Sequence, residues 1–451
     1  MMLDGVPLCD MGKSNAAGDN DTHSTVNRRG YLKTVGAGAL VTGVAGCTGG
    51  GGQNTEPFTV GAVYPFSGAV AETGQNIRKF IKNAANEVVN KKREDLKPLV
   101  LADSEGLPNH NGARVQLEFA DHRGDPAQGR SEAERLVQQK NVDMLAGGYH
   151  SSVTKTISQV AEREGIPHVN FESSSPDLTE RGLKWFWRTG PHDKTYSQNM
   201  FQFFDGLNEN QDAGIESVAI IHEDTEFGSI SAETQEALAK EHGYEIVAGP
   251  ISYTAESVTS LESEVQRIRQ VDPDVLLPAS YLKDAQILLN DMQKLGYFPP
   301  MIVGQNAGFN QPSFKEKSEI SDYVCSRSTY APGLAESVPE IKTYDQFVKD
   351  NVGMGFNGVY IRSWGGFLAA MKAVDNAGST DPGDVQSALN SLSLDKLASG
   401  LPFTVEFNEN HQNKHAKGVL IQYEGGSSNL IWPFDLASEN PVYPAPGWDE
   451  R

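Results

Sequence analysis

Phe58-Thr59-Val60-Gly61-Ala62-Val63-Tyr64-Pro65-Phe66-Ser67-Gly68 opens the folded part of the chain. Its first seven residues, rich in β-branched and aromatic side chains, read as a strand, which Pro65 and the Ser67-Gly68 turn bring to an end. Past the turn, Ile77, Ile81, Ala84, Ala85 and Val88 recur at i, i+4, i+7, i+8 and i+11, the spacing of one helix face. The unit then repeats. Strands are expected over 115–120, 142–146 and 166–171, with helices over 127–139 and 151–164, the latter stopped at Gly165. This alternation predicts a parallel sheet with helices on both faces. A second series begins near residue 215, with strands over 218–222, 244–247, 275–278 and 301–303 and helices over 230–241, 261–270 and 285–295. A later helix carries Ile361, Trp364, Phe367, Leu368 and Met371, another spans 383–392, and short strands over 403–407, 419–423 and 430–432 finish the pattern. The expected fold class is α/β, with two doubly wound parallel-sheet lobes. In such sheets ligands sit at the carboxyl ends of strands, beside helix N-termini.

Charge narrows the function classes. The chain has 451 residues, with 38 Lys+Arg against 59 Asp+Glu and a net charge of −21. Such an acidic balance argues against nucleic acid, whose phosphates require Lys and Arg. It also argues against electrostatic attachment to anionic lipid. No run of 18 apolar residues exists that would span a membrane as a standard helix. Residues 1–46 are neutral, with Asp4, Asp10, Asp19 and Asp21 offset by Lys13, Arg28, Arg29 and Lys33. The acid excess of 47–451 is therefore either an ordinary solvated surface or an adaptation to molar salt, where screening removes self-repulsion. Its size and dispersal favour the second reading, that of a halophilic archaeal chain.

The N-terminal segment reads as an address and an anchor. Arg28-Arg29 precede a short Gly/Ala-rich apolar run over 34–45, a pattern that resembles a twin-arginine export signal. Val44-Ala45-Gly46-Cys47 resembles a lipoprotein box, with Cys47 as the lipidated first residue of the mature chain. Residues 1–46 are thus the expected signal and 47–56, with Gly49 to Gly52, a flexible tether. Met2 or Met11 are alternative starts. The expected location is the outer face of the cell membrane, held there by lipid alone. With Cys9 in the discarded segment and Cys47 acylated, Cys325 is left alone, and its strand-like surroundings read as a buried small hydrophobe.

No catalytic constellation is found, and the chain reads as a non-enzyme with no cofactor and no metal. Gly12-Lys13-Ser14 lacks the Gly spacing of a phosphate loop, and G-x-S-x-G, H-E-x-x-H and C-x-x-C are absent. His411 and His415 are four apart, but Asn408-Glu409-Asn410 make the context a polar turn rather than a ligating helix face.

In their order and spacing the motifs of residues 57–436 resemble type I periplasmic binding proteins of the leucine/isoleucine/valine-binding class, the solute receptors of ABC importers. The resemblance runs through 60–68, Asp121-His122-Arg123-Gly124-Asp125-Pro126, Gly147-Gly148-Tyr149-His150-Ser151-Ser152, Ile166-Pro167, Ser173-Ser174-Ser175-Pro176-Asp177-Leu178-Thr179, and Ala219-Ile220-Ile221-His222-Glu223-Asp224 with Phe227-Gly228. It implies two lobes joined by three crossings, with hinges near 190–193, 326–331 and 403–407. Lobe one is then 57–190 with 331–404, lobe two is 191–330 with 405–436, and 437–451 is a tail.

The same resemblance implies a ligand site of His150, Ser151, Glu172, Ser174, Phe227, Tyr281, Asn306 and Tyr360. Ser151 and Ser174 would supply hydroxyls to a carboxylate, Glu172 a backbone carbonyl to an ammonium, and the aromatics apolar walls. On Ser151 the alternative is a helix N-cap, and on each aromatic it is plain core packing. Asn306 stands where amino-acid binders of the class carry an ammonium-pairing glutamate. Either Asp224 or Glu226 substitutes, or the ligand is an amide, a urea-like solute or a carboxylic acid. Residues 93–113 are expected to form a longer surface loop than the class shows.

The implied function is capture of a branched-chain amino acid or related small polar solute by a monomer, for delivery to an ABC permease and ATPase. An extracellular sensory module that reports a solute to a signalling partner is the alternative, and a cleft hydrolase acting through Ser151 ranks last.

Overall fold

The computed structural model describes residues 55–451; Arg28, Arg29, Cys47 and the rest of the expected signal lie outside the described residues. The opening stretch forms β1 (Phe58–Tyr64), between β2 (Val115–Asp121) and β3 (Met144–Gly147). Beyond β3 come β4 (His168–Asn170) and β5 (Phe186–Arg188), giving a five-stranded sheet of order β2-β1-β3-β4-β5 in which every pairing is parallel. A parallel strand covered on both faces must be apolar on both, and six of the seven β1 residues are buried. The crossovers are α1 (Ala71–Asn83), α2 (Pro126–Lys140) and α3 (Ser151–Glu164). α2 and α3 carry the expected punctuation. Asp125 Oδ1 accepts from the Gln128 N–H at the start of α2, where Pro126 needs no N–H partner, and Gly165, at φ +67°, ends α3.

The second sheet has the order β14-β13-β10-β9-β8-β6-β7. Its parallel part is β6 (Ser217–Glu223), β7 (Glu245–Tyr253), β8 (Val275–Ala279), β9 (Met301–Gly304) and β10 (Cys325–Ser328). Two antiparallel strands, β13 (Val419–Glu424) and β14 (Ser427–Trp432), extend it. Its helices include α4 (Asp193–Gln211), α5 (Glu226–His242), α6 (Glu262–Val271) and α7 (Leu282–Lys294). After β10 the chain returns to the first sheet. There α8 (Pro339–Val352), α9 (Tyr360–Ala377) and α10 (Pro382–Asn390) join its core, with Trp364, Phe367 and Met371 packed in the same cluster as Phe58, Phe80 and Ile81. A small antiparallel pair, β11 (Ser393–Leu394) with β12 (Val405–Glu406), precedes the last passage to β13. The chain therefore passes between the two sheets three times. Cys325 is fully buried in β10, and burial pushes its thiol up to about 12.

Several elements differ from expectation. α4 has no Ser, Thr, Asp or Asn at its N-cap; His192 Nδ1 takes that role, accepting from the Thr195 N–H at 3.0 Å. β5 is three residues long and contains a fully buried arginine, so no periodicity announces it. β7 runs to nine residues through Pro250, which a strand at the sheet edge tolerates because one row of its N–H groups has no ladder partner. Of the expected 403–407 strand, Val405 and Glu406 pair with β11 and Phe407 forms an isolated bridge with Asn413.

The 93–113 connection is not a loose surface loop. Leu96, Leu99 and Leu107 are buried in the first core, Asn109 donates to Asp375, and His110 Nε2 lies 2.6 Å from the Val374 carbonyl at the end of α9.

Candidate functional site

The carboxyl ends of β3 and β4 in the first sheet face those of β6, β8, β9 and β10 in the second. Six of the eight expected residues meet there. Ser151, Glu172, Ser174, Phe227, Tyr281 and Asn306 line one cavity of about 20 Å³, together with Tyr149, Ala307, Arg327, Val359 and Arg362. That volume holds about one water molecule, so the cleft is shut.

His150 and Tyr360 are placed elsewhere. His150 lies in an outer chamber of about 430 Å³, with Arg123, Thr225, Glu256 and Asp284, and only Tyr281 is shared with the inner cavity. The Tyr360 hydroxyl bonds Asn76 at 3.1 Å and Gln311 at 3.2 Å, its ring is stacked on Phe80 at 4.8 Å, and it borders a separate cavity of about 260 Å³.

Local chain geometry brings the polar groups in. His150, not Ser151, is the N-cap of α3, so Ser151 is the first helical residue and its Oγ accepts from the Ser175 N–H at 3.3 Å. That helix start turns its N–H groups and positive dipole end toward the cavity. Fully buried Arg188 holds the 173–175 turn, donating to the Ser175 carbonyl at 2.6 Å and the Ser173 carbonyl at 3.3 Å, and so fixes Ser174 between them. Asn306 and Ala307 take φ of +59° and +44°, an uncommon conformation for residues with a Cβ, and it directs the backbone after β9 over the cavity.

Both polar groups of Glu172 are already engaged within the protein. Its backbone carbonyl already accepts from Arg362 Nη1 at 3.0 Å, and its carboxylate accepts from Tyr64 at 3.1 Å and from Ser363 at 2.5 Å. Burial pushes this carboxyl up to about 7, against the opposing pull of the Ser363 bond, the Arg362 charge and the Tyr64 bond.

Arg327, in β10, is 1% exposed. Its Nη2 donates to Asp193 Oδ1 at 2.6 Å and to Ser174 Oγ at 3.3 Å, and its Cζ lies 3.8 Å over the Tyr196 ring. Burial pushes Asp193 up and Arg327 down from their ordinary ranges, while each group's charge favours ionisation of the other. Arg327 Nε and Nη1 have no partner, and neither do Asn306 Nδ2 and Oδ1. A native core seldom leaves so many polar atoms unsatisfied in one spot.

Sequence reasoning missed Arg327, Arg362, Arg188 and Tyr149. The available signal was a charged residue inside an otherwise apolar element: Arg327 within Cys325-Ser326-Arg327-Ser328, and Arg362 between Ile361 and the apolar face of α9. His411 and His415 do not converge. His411 is stacked on Trp187 at 4.7 Å, whereas His415 Nε2 lies 3.2 Å from Glu406. Among the described residues no group of three His, Cys, Asp or Glu side chains is placed to hold a metal ion, and no helix is long and apolar enough to cross a membrane.

A family model described as periplasmic binding protein matches residues 57–427. The chain belongs to this family. As a member of it, the chain is a binding protein and not an enzyme. Among its relatives is Leu/Ile/Val-binding protein homolog 7 of Brucella abortus, 24% identical over 407 residues, spanning 87% of this chain and 96% of the relative. The fold is shared with the leucine-binding protein LivK of Thermotoga maritima, at a TM-score of 0.70 and 19% identity over 84% of this chain and 99% of the other. It is also shared with a solute-binding protein of Rhodopseudomonas palustris BisB5 in complex with 3,4-dihydroxybenzoic acid, at a TM-score of 0.68 and 16% identity over 82% of this chain and 95% of the other.

Proposed function

We propose that the chain is the external solute receptor of an ABC importer. It captures one small organic solute between lobe one (57–190 with 331–404) and lobe two (191–330 with 405–436) and delivers it to a permease. The observation that carries this reading is the buried cavity where both sheets end, lined from both sides and holding unpartnered polar atoms of Arg327 and Asn306. Its closure supports a clamshell cycle. The rim contacts across the cleft are modest: Lys155 to Glu226 at 3.2 Å, Ser175 to Glu226 at 3.4 Å and Ser313 to Glu72 at 2.9 Å. Partly exposed pairs of this kind contribute about 0–1 kcal/mol each, the buried Ser174–Arg327 and Tyr360–Gln311 contacts add to them, and a solute touching both lobes selects the closed state.

Ser151, Ser174, Phe227, Tyr281 and Asn306 are the proposed contacts from the sequence, joined by Arg327. The Arg28-Arg29 signal and Cys47 anchor fit a receptor that works at the outer membrane face, tethered by 47–56.

The test is calorimetric and thermal-shift screening at molar salt against amino acids, amides and carboxylates. A solute that raises the melting temperature and compacts the protein in small-angle scattering is the expected result. A panel that leaves both unchanged refutes the receptor reading. Globomycin-sensitive or acyl-label incorporation that disappears in Cys47→Ala tests the anchor.

A further inference from the structure

The polar side chains around the inner cavity are not all satisfied. Two guanidiniums line it, Arg327 and Arg362, against a single carboxylate, Glu172, which already accepts from Tyr64 and Ser363. Arg362 is tied to the carbonyls of Gly358 and Glu172. Arg327 is not fully tied: its Nη2 serves Asp193 and Ser174, while Nε and Nη1 remain unpartnered on a side chain 1% exposed. Buried N–H donors on a cation call for an anion, and an organic carboxylate matches a guanidinium in charge and planarity. An ammonium would instead enter beside two guanidiniums whose acids, Asp193 and Glu172, are both already engaged.

Asn306 adds the second constraint. It is 2% exposed, and both its Nδ2 donor and its Oδ1 acceptor lack partners. A hydroxyl can donate to Oδ1 and accept from Nδ2 at once. An ammonium has no lone pair and would leave Nδ2 orphaned. Three aromatic rings line the wall beside Ser151, Ser174, Ala307 and Val359, with Phe227 and Tyr281 at 5.3 Å between ring centroids and Tyr149 at 6.2 Å from Tyr281. Tyr281 also borders the outer chamber of about 430 Å³, which gives room beyond the head-group cavity.

The geometry points to a small hydroxycarboxylate without an ammonium group as the solute of this site. Its carboxylate sits on Arg327, its hydroxyl on Asn306, and its apolar body lies against Phe227 and Tyr281 toward the outer chamber. This rests on the receptor reading above and names the chemical class that the receptor takes.

The experiment is calorimetry on the full-length chain with matched pairs that differ only in ammonium against hydroxyl. These are leucine with α-hydroxyisocaproate and phenylalanine with phenyllactate, with dihydroxybenzoate as a third skeleton. The hydroxy acid of at least one pair, or dihydroxybenzoate, is expected to bind at least about tenfold tighter than either amino acid, the equivalent of about 1.4 kcal/mol. Asn306→Gly accepts the positive φ, so it keeps the backbone while removing the amide. In that variant the advantage of the hydroxy acid over its deoxy analogue should vanish. The double variant Asp193→Asn with Arg327→Gln keeps the buried pair neutral and should lose binding of the carboxylates by more than about tenfold. Leucine or phenylalanine binding as tightly as its hydroxy acid, or full affinity in the double variant, overturns the assignment and leaves the receptor reading intact. No binding by any probe, with the wider screen also silent, overturns both.

Discussion

Arg327→Met is the most informative single change outside the ligand question. Asp193 is 0% exposed and has one bonded oxygen, Oδ1, which accepts from Arg327 at 2.6 Å and more weakly from Gln305 at 3.4 Å, while Oδ2 has no partner. Removing the guanidinium strands a carboxylate in the core, and breaking a buried pair from one side costs about 3–5 kcal/mol. That is a large share of the roughly 5–15 kcal/mol that holds a folded domain. At roughly 2–4 °C per kcal/mol for domains of this size, the melting temperature should fall by roughly 6–20 °C. Adding Asp193→Asn removes the stranded charge and should recover most of the loss. The single variant should also regain stability on acidification, because protonating Asp193 removes the same charge. Differential scanning calorimetry of wild type, single and double variants at two pH values decides it. A single variant within about 2 °C of wild type, or a double variant as unstable as the single, refutes the claim that the ion pair is closed and dry.

Other expectations follow from the same packing. Glu172 and Glu223 are pushed up to about 7 and Asp284 to about 6, burial being the main cause in each. A carboxyl with a raised folded-state pKa binds more protons folded than unfolded, so its contribution falls as pH rises from the ordinary carboxylate range to about 7. His122 and His168 are pushed down to about 4 and His192 to about 3, again mainly by burial, and these contribute stability that is lost as pH falls below about 6.5. The two trends oppose each other over about pH 4–6.5 and only the carboxyl loss remains above it, so melting temperature should stop rising near pH 6 and fall towards pH 7, and a profile that rises steadily from acid to alkali would contradict it. Glu226→Ala removes the Lys155 and Ser175 rim contacts, so solute affinity should drop by roughly two- to fivefold with little change in melting temperature; titration calorimetry with small-angle scattering reads both. In Gly147→Ala the new Cβ would meet the Tyr64 ring at 2.3 Å at a φ of +92°, and a loss of about 1–3 kcal/mol in chemical denaturation is expected.

The elements that sequence reasoning reached share one property: their signal is local. β1 is apolar because both its faces are covered, α3 stops at Gly165 because that residue takes the left-handed conformation, and Asp125-Pro126 start α2 through bonds that span three residues. Ser151, Glu172, Ser174, Phe227, Tyr281 and Asn306 were implied by the resemblance to the binding-protein class, carried by motifs at the ends of such elements, and they line one cavity. Tyr360 and His150 illustrate the limit. Both stand near the cleft in the chain's logic, yet Tyr360 is claimed by Phe80, Asn76 and Gln311, and His150 turns toward His122 and the outer chamber. Nothing within a few residues of either position carries that information.

Hydrophobic period, turn residues and charge thus determined two doubly wound sheets, an acidic body and the loops that carry the site. These depend on neighbours along the chain and on contact with water, and both are written in the residue order. Only tertiary structure decided how the site is charged. Arg327 meets Asp193 across 134 residues and Ser174 across 153, and Arg362 reaches the Glu172 carbonyl across 190. A guanidinium acquires its chemical meaning from the acids, carbonyls and orphaned amides that folding places around it, and burial multiplies each of those interactions by withdrawing the water that would have screened them.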